Sequence, residues 1–130
     1  MQFNDPYNPS YEEIENWAYA YNAFEPVQDW DIIVNWLIYP DLILKLASDN
    51  KCPQQEYFLH ILYVVVGQSG RGRLSSRNTM EIETLLEHSE KYYHPYIKQW
   101  IQRSKDLLEH PEKFDYDDWF SGRLAKATIS

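Results

Sequence analysis

Residues 53–67 read "PQQEYFLHILYVVVG", and the fold turns on what this stretch becomes. Taken alone, the run "ILYVVV" would pass for a strand buried on both faces. The whole stretch is too long for that, and its lead-in "PQQEYFLH" carries a helical start, with a proline where a missing N–H costs nothing. With a strand over 61–66 as the alternative, length and lead-in therefore favour a helix. Its second half is apolar on every side, which makes it the central, most buried element of the domain.

The same periodicity extends to both sides of this helix. Ser10 and Glu13 form a capping box, in which each side chain satisfies a free backbone N–H of a helix start. Ile14, Trp17, Ala18 and Tyr21 then recur at helical spacing. "NAFEP" breaks that helix, and Asp29 can cap a second one built on Trp30, Ile33, Val34 and Leu37. Pro40 opens a third, through Leu42, Ile43, Leu46 and Ala47. Beyond the central helix, Asn78 and Glu81 repeat the capping-box spacing before Ile82, Leu85, Leu86 and Ser89. Pro95 opens a sixth helix with a core face of Ile97, Trp100, Ile101, Ser104 and Leu108, and a short seventh is expected over Trp119–Ala125. Residues 1–9 form an irregular arm. The expectation is one all-α domain over 1–130, a compact bundle of about six to seven helices packed as antiparallel, repeat-like hairpins.

Composition narrows the function. The chain has 130 residues and a net charge of −8, with 44% hydrophobic and 16% aromatic residues, so most of it folds rather than staying disordered. Its one cysteine, Cys52, excludes an internal disulfide and fits a reducing compartment. The N-terminus has neither the basic segment nor the apolar run of a signal peptide, and no apolar stretch is long enough to span a bilayer. A cytoplasmic protein is expected.

The charge is unevenly placed. Residues 1–44 hold eight acids and no Lys or Arg, whereas residues 45–130 hold twelve of each sign. Ten of the 21 aromatic residues also fall in that first third. An acidic, aromatic segment repels nucleic acid and anionic membranes and attracts a basic protein. Tyr and Trp bury much area at low entropic cost, which suits them to binding hot spots. The candidate partner-binding residues are Tyr11, Glu12, Glu13, Glu15, Tyr19, Asp29, Trp30 and Asp31. A second reading of the cluster stands beside this one: Trp17, Trp30 and Trp36 keep core spacing, and the acids provide solubility.

Other motifs carry less. "GQSGRGRLSSRN", residues 67–78, places Arg71, Arg73 and Arg77 among glycines, but no Gly-Lys-Ser/Thr follows and no strand or ribose-binding acid flanks it. It reads as a flexible connector between helix pairs, with a partner contact or a phosphate grip as the alternatives. His60, His88, His94 and His110 lack the spacing of a helical metal site, and Cys52 has no thiol partner. His60 reads as a satisfied core histidine. "DYDDW" lacks the glycine and glutamate of a calcium loop, so Asp115 or Asp117 is read as a helix cap. No serine sits in a nucleophile elbow. No catalytic residue, cofactor or metal is expected.

The segments "NWLIYPDLILKLASDNKCPQQEYFLHILYVVVG" and "IKQWIQRSKDLLEHPEKFDYDDWFSG", joined by a polar loop, resemble the small helical immunity proteins of bacterial contact-dependent-inhibition and polymorphic-toxin systems. The likeness spans roughly residues 30–122 and rests on length, helical layout and aromatic turns. It implies a protein that binds a cognate toxin, often a basic nuclease, and occludes its active site. The balanced charge of residues 45–130 would confine any mimicry of nucleic acid to the first two helices and the start of the third. The alternatives are a helical adaptor for another basic partner and a small enzyme with an unrecognised site.

Overall fold

A computed structural model describes residues 3–21, 24–28, 30, 34, 39–70 and 76–115, with the backbone alone at 68–70 and 76–79. Among the described residues the chain is all-α: five α-helices, one 3-10 turn and no strand. They are α1 (Tyr11–Ala18), α2 (Pro40–Ala47), α3 (Gln55–Gly70), α4 (Ser76–Ser89), α5 (Pro95–Glu109) and the turn Pro111–Lys113. Consecutive helices pack on one another, and α3 also packs on α5. The "ILYVVV" run is helical, and Ile61, Leu62, Tyr63 and Val66 on α3 have no exposed surface. A segment apolar on all sides has found neighbours on several sides, as its composition required.

Local chemistry sets the helix ends. Ser10 Oγ accepts from Glu13 N at 3.2 Å, and Glu13 Oε1 accepts from Ser10 N at 3.0 Å, completing the capping box of α1. Pro40 stands at the start of α2, where its fixed φ suits the first turn. Ser48 ends α2 by donating its hydroxyl back to Leu44 O at 2.8 Å. On α5 the cap is His94, whose ring accepts from Tyr96 N.

Several boundaries differ from the sequence reading. α1 stops at Ala18, so Tyr21 lies beyond the helix and is exposed instead of joining the apolar face. α3 begins at Gln55, not Pro53, and continues past Gly67 to Gly70. α4 begins at Ser76, which places Asn78 inside the helix, so Asn78 and Glu81 are not its capping box. The connector expected over 67–78 is therefore helical at both ends, and residues 71–75 lie outside the described residues. On α5 the buried face contains Leu107, while Leu108 is only partly covered. Of the second predicted helix only Trp30 and Val34 are described, both buried, and the predicted seventh helix lies outside the described residues.

The N-terminal arm is irregular but docked. Phe3 meets the Trp30 ring edge-on at 5.3 Å, and Trp30 Nε1 donates to Pro6 O at 3.0 Å. Trp17 contacts Trp30, Tyr57 and Phe58 edge-on at 4.8, 4.9 and 6.0 Å. Edge-to-face contact sets the positive rim of one ring against the negative face of the next. Glu25 completes the knot: its Oε2 accepts from Trp30 N at 3.0 Å and from the Tyr57 hydroxyl at 2.9 Å. Phe3, Pro6, Trp17, Glu25 and Trp30 are thereby fastened to one another and to the start of the central helix.

Candidate partner-binding surface

The candidate residues on α1 follow helical geometry. Tyr11, Glu15 and Tyr19 stand four apart and form one stripe. That stripe meets α2 and the turn after it in three rungs. The Tyr11 ring packs edge-on against Tyr39 at 5.7 Å. Glu15 Oε2 accepts from Lys45 Nζ at 2.7 Å. The Tyr19 hydroxyl donates to Asp49 Oδ2 at 2.5 Å. The Tyr19 hydrogen bond holds the Asp49 carboxyl below its ordinary range and drives the phenol above its own. Glu15 likewise raises the Lys45 ammonium.

The remaining candidates divide. Glu13 is committed to the arm and the helix start, because its second oxygen accepts from Asn4 N at 2.9 Å. These backbone donors hold its carboxyl below the usual range. Trp30 is wholly buried in the aromatic knot, which corrects its expected role as a surface anchor: the ring has no face left for a partner. Asp29 and Asp31 lie outside the described residues. Glu12 is exposed and forms no hydrogen bond or ion pair among the described residues. Tyr7 is also exposed, and Tyr21 and Phe24 are each 84% exposed. The structure thus brings Tyr11, Glu15 and Tyr19 together as a seam and leaves Glu12, Tyr21 and Phe24 outward.

A second acidic surface lies where the sequence reading placed charge balance. A cleft of about 360 Å³ between α4 and α5 is lined by Glu83, Leu86, Glu87, Glu90, Lys105, Leu108 and Glu109. Its one lysine is spent on Glu90 at 2.9 Å. Glu83, Glu87 and Glu109 pair with no cation among the described residues. The signal was available as spacing: Glu83, Glu87 and Glu90 recur at helical intervals on one face of α4. What the sequence could not supply was that Glu109 faces them from another helix.

Among the described residues, no group of three His, Cys, Asp or Glu side chains could hold a metal ion. Cys52 is buried, its Sγ lies 3.4 Å from Ala18 O, and burial pushes its thiol up, away from a reactive thiolate. His60 is half-buried on α3. Asp115 is described, but Asp117 and Asp118 lie outside the described residues. His88 does have an acidic partner: its Nε2 lies 2.7 Å from Asp41 Oδ1, which also accepts from the Tyr92 hydroxyl at 3.1 Å. This node joins the end of α4 to the start of α2. His88 foremost, with Tyr92 and Lys91, holds the Asp41 carboxyl below its ordinary range. Burial, reinforced by that hydrogen bond, pushes Tyr92 up to about 12.

No helix among the described residues is long and apolar enough to cross a membrane. Comparison with protein-family models, curated proteins and solved structures finds no match to this chain.

Proposed function

We propose that this chain is a non-enzymatic, cytoplasmic binding protein that engages a basic protein partner through the outward side of α1 and the segment after it. The observation that carries this reading is the placement of exposed aromatics. Of seven large hydrophobic side chains exposed among the described residues, five (Tyr7, Tyr11, Tyr19, Tyr21 and Phe24) fall within eighteen residues of one another. Such side chains gain by being covered, and the carboxylate of Glu12, unpaired among the described residues, would steer a basic surface toward them. In its most specific form the partner is a cognate bacterial toxin and the chain its immunity protein, acting by occlusion. The full bundle of six to seven helices, paired as hairpins, belongs to the same proposal.

A second reading is a helical adaptor, and the α4–α5 cleft favours it. An acidic rim over Leu86 and Leu108 suits a Lys or Arg side chain, which carries an apolar stem below its charge. One experiment separates the two. The protein is used to capture partners from lysate of its native cells beside two variants, Glu12→Gln/Tyr21→Ser/Phe24→Ser and Glu83→Gln/Glu87→Gln/Glu109→Gln. The proposal expects a basic partner lost only from the first variant, toxic when expressed alone and harmless when this chain is co-expressed. A non-toxic partner lost only from the second replaces the immunity reading with the adaptor. A partner held equally by all three proteins removes both surfaces from consideration.

A further inference from the structure

We propose that the core face of α5 binds one internal water, shared by the Trp100 indole and the Ser104 hydroxyl. Gln55, Ser89 and Ser104 are the polar residues buried among the described ones. Two of them are served from within the protein. Gln55 Nε2 donates to Ala47 O at 3.1 Å and to Asn50 Oδ1 at 3.0 Å. Ser89 Oγ donates to Leu85 O at 2.7 Å, the carbonyl one turn back on α4. Ser104 has the Trp100 carbonyl one turn back on α5, yet its Oγ has no hydrogen-bond partner among the described residues. Trp100 Nε1 is in the same condition. The other two buried indoles differ: Trp17 Nε1 donates to Phe24 O at 2.9 Å and Trp30 Nε1 to Pro6 O at 3.0 Å.

Trp100 and Ser104 have no exposed surface, so bulk solvent does not reach either group. A buried donor left unmade costs its full desolvation penalty, which is why such groups are rare in folded proteins. Here two stand four residues apart on one helix, where side chains are neighbours. Their chemistry fits a single molecule. The indole N–H only donates, whereas the hydroxyl both donates and accepts. One water oxygen accepts from the indole and bonds the hydroxyl in either sense, and its remaining proton suits the second lone pair of a helix carbonyl. The rest of the face, Ile97, Ile101 and Leu107, is apolar. A halide would also accept from both groups, but it would shed its hydration in that apolar setting, a cost that a neutral ligand does not carry. The cations flanking Ser104 are directed elsewhere: Arg103 to the Tyr63 ring, 5.5 Å from its centroid, and Lys105 to Glu90. Since α5 packs on both α3 and α4, the water adds directional bonds to a face otherwise held by packing.

The test uses the full chain and has two readouts. In a crystal structure of the wild type at high resolution, a single oxygen peak is expected within hydrogen-bonding distance, about 2.7–3.2 Å, of both Trp100 Nε1 and Ser104 Oγ. Crystals grown in bromide should show no anomalous peak there. In urea unfolding, Ser104→Ala removes one of the water's partners and should lower the folding equilibrium constant about fivefold, the worth of one hydrogen bond. Removing a hydroxyl that truly has no partner would leave that constant unchanged or raise it. That result would overturn the bound water, as would an empty interior at high resolution, a direct bond from Trp100 to Ser104, or a bromide peak at the site.

Discussion

The N-terminal third and the α4–α5 pair exchange roles between sequence and structure. Along the chain, residues 1–44 hold the whole charge imbalance, while the rest is neutral in sum. In space, much of the N-terminal acid is employed internally: Glu13 caps α1, Glu15 pairs with Lys45, and Glu25 fastens Trp30 and Tyr57. The α4–α5 cleft belongs to the neutral portion, yet three of its four carboxylates pair with no cation among the described residues. A local sum of charge says little about local potential, because each carboxylate has first to be asked what it holds.

The sharpest way to break this comparison is at Trp30. If the N-terminal aromatics are core first, Trp30→Ala should cost about 3–5 kcal/mol in urea unfolding. A loss below about 1 kcal/mol would return the residue to the surface reading. Next comes the cap that Glu13 shares with its neighbour. Ser10→Ala should cost about 1 kcal/mol and fray α1, read by amide exchange at Glu13 and Ile14.

Titration resolves smaller effects. The Asp41 carboxyl is depressed below its usual 3.8, so its contribution is complete above that pH and disappears as pH falls through the folded value. Asp41→Asn should flatten the acid limb of the stability curve. Tyr92 is displaced the other way, from 10 to about 12, so its contribution holds below pH 10 and fades as pH rises through about 12. Tyr92→Phe should remove that alkaline loss and also weaken the acid limb, though less than Asp41→Asn does, because His88 is the larger influence on Asp41. The smallest expected change is in the cleft itself. Glu83→Gln/Glu87→Gln/Glu109→Gln should leave the urea midpoint close to wild type, since none of the three holds another described residue. A clear loss of stability would show these acids to be structural, as Glu13 is.

Much of the helical layout was legible because it rests on short-range rules. Ser10 with Glu13, Pro40 and Pro95 mark helix starts through groups within one turn. Asn78 with Glu81 obeys the same spacing but falls inside a helix, because α4 begins two residues earlier. The candidate surface was less legible. Tyr19 and Glu15 look alike as exposed polar positions, and their commitment to Asp49 and Lys45 spans thirty residues of chain. Trp30 kept core spacing, and that half of its reading is the one the packing selects.

The aromatic knot also supplies an optical handle. Trp17 and Trp30 lie 4.8 Å apart, each with its indole N–H bound to a carbonyl of the irregular N-terminal segment, Phe24 O and Pro6 O. Two indoles at that separation share their excited states, and the coupling depends on their fixed mutual angle. The near-ultraviolet circular dichroism of this protein therefore watches one event above others, the seating of Trp17 and Trp30 on the helix that carries Tyr57 and Phe58.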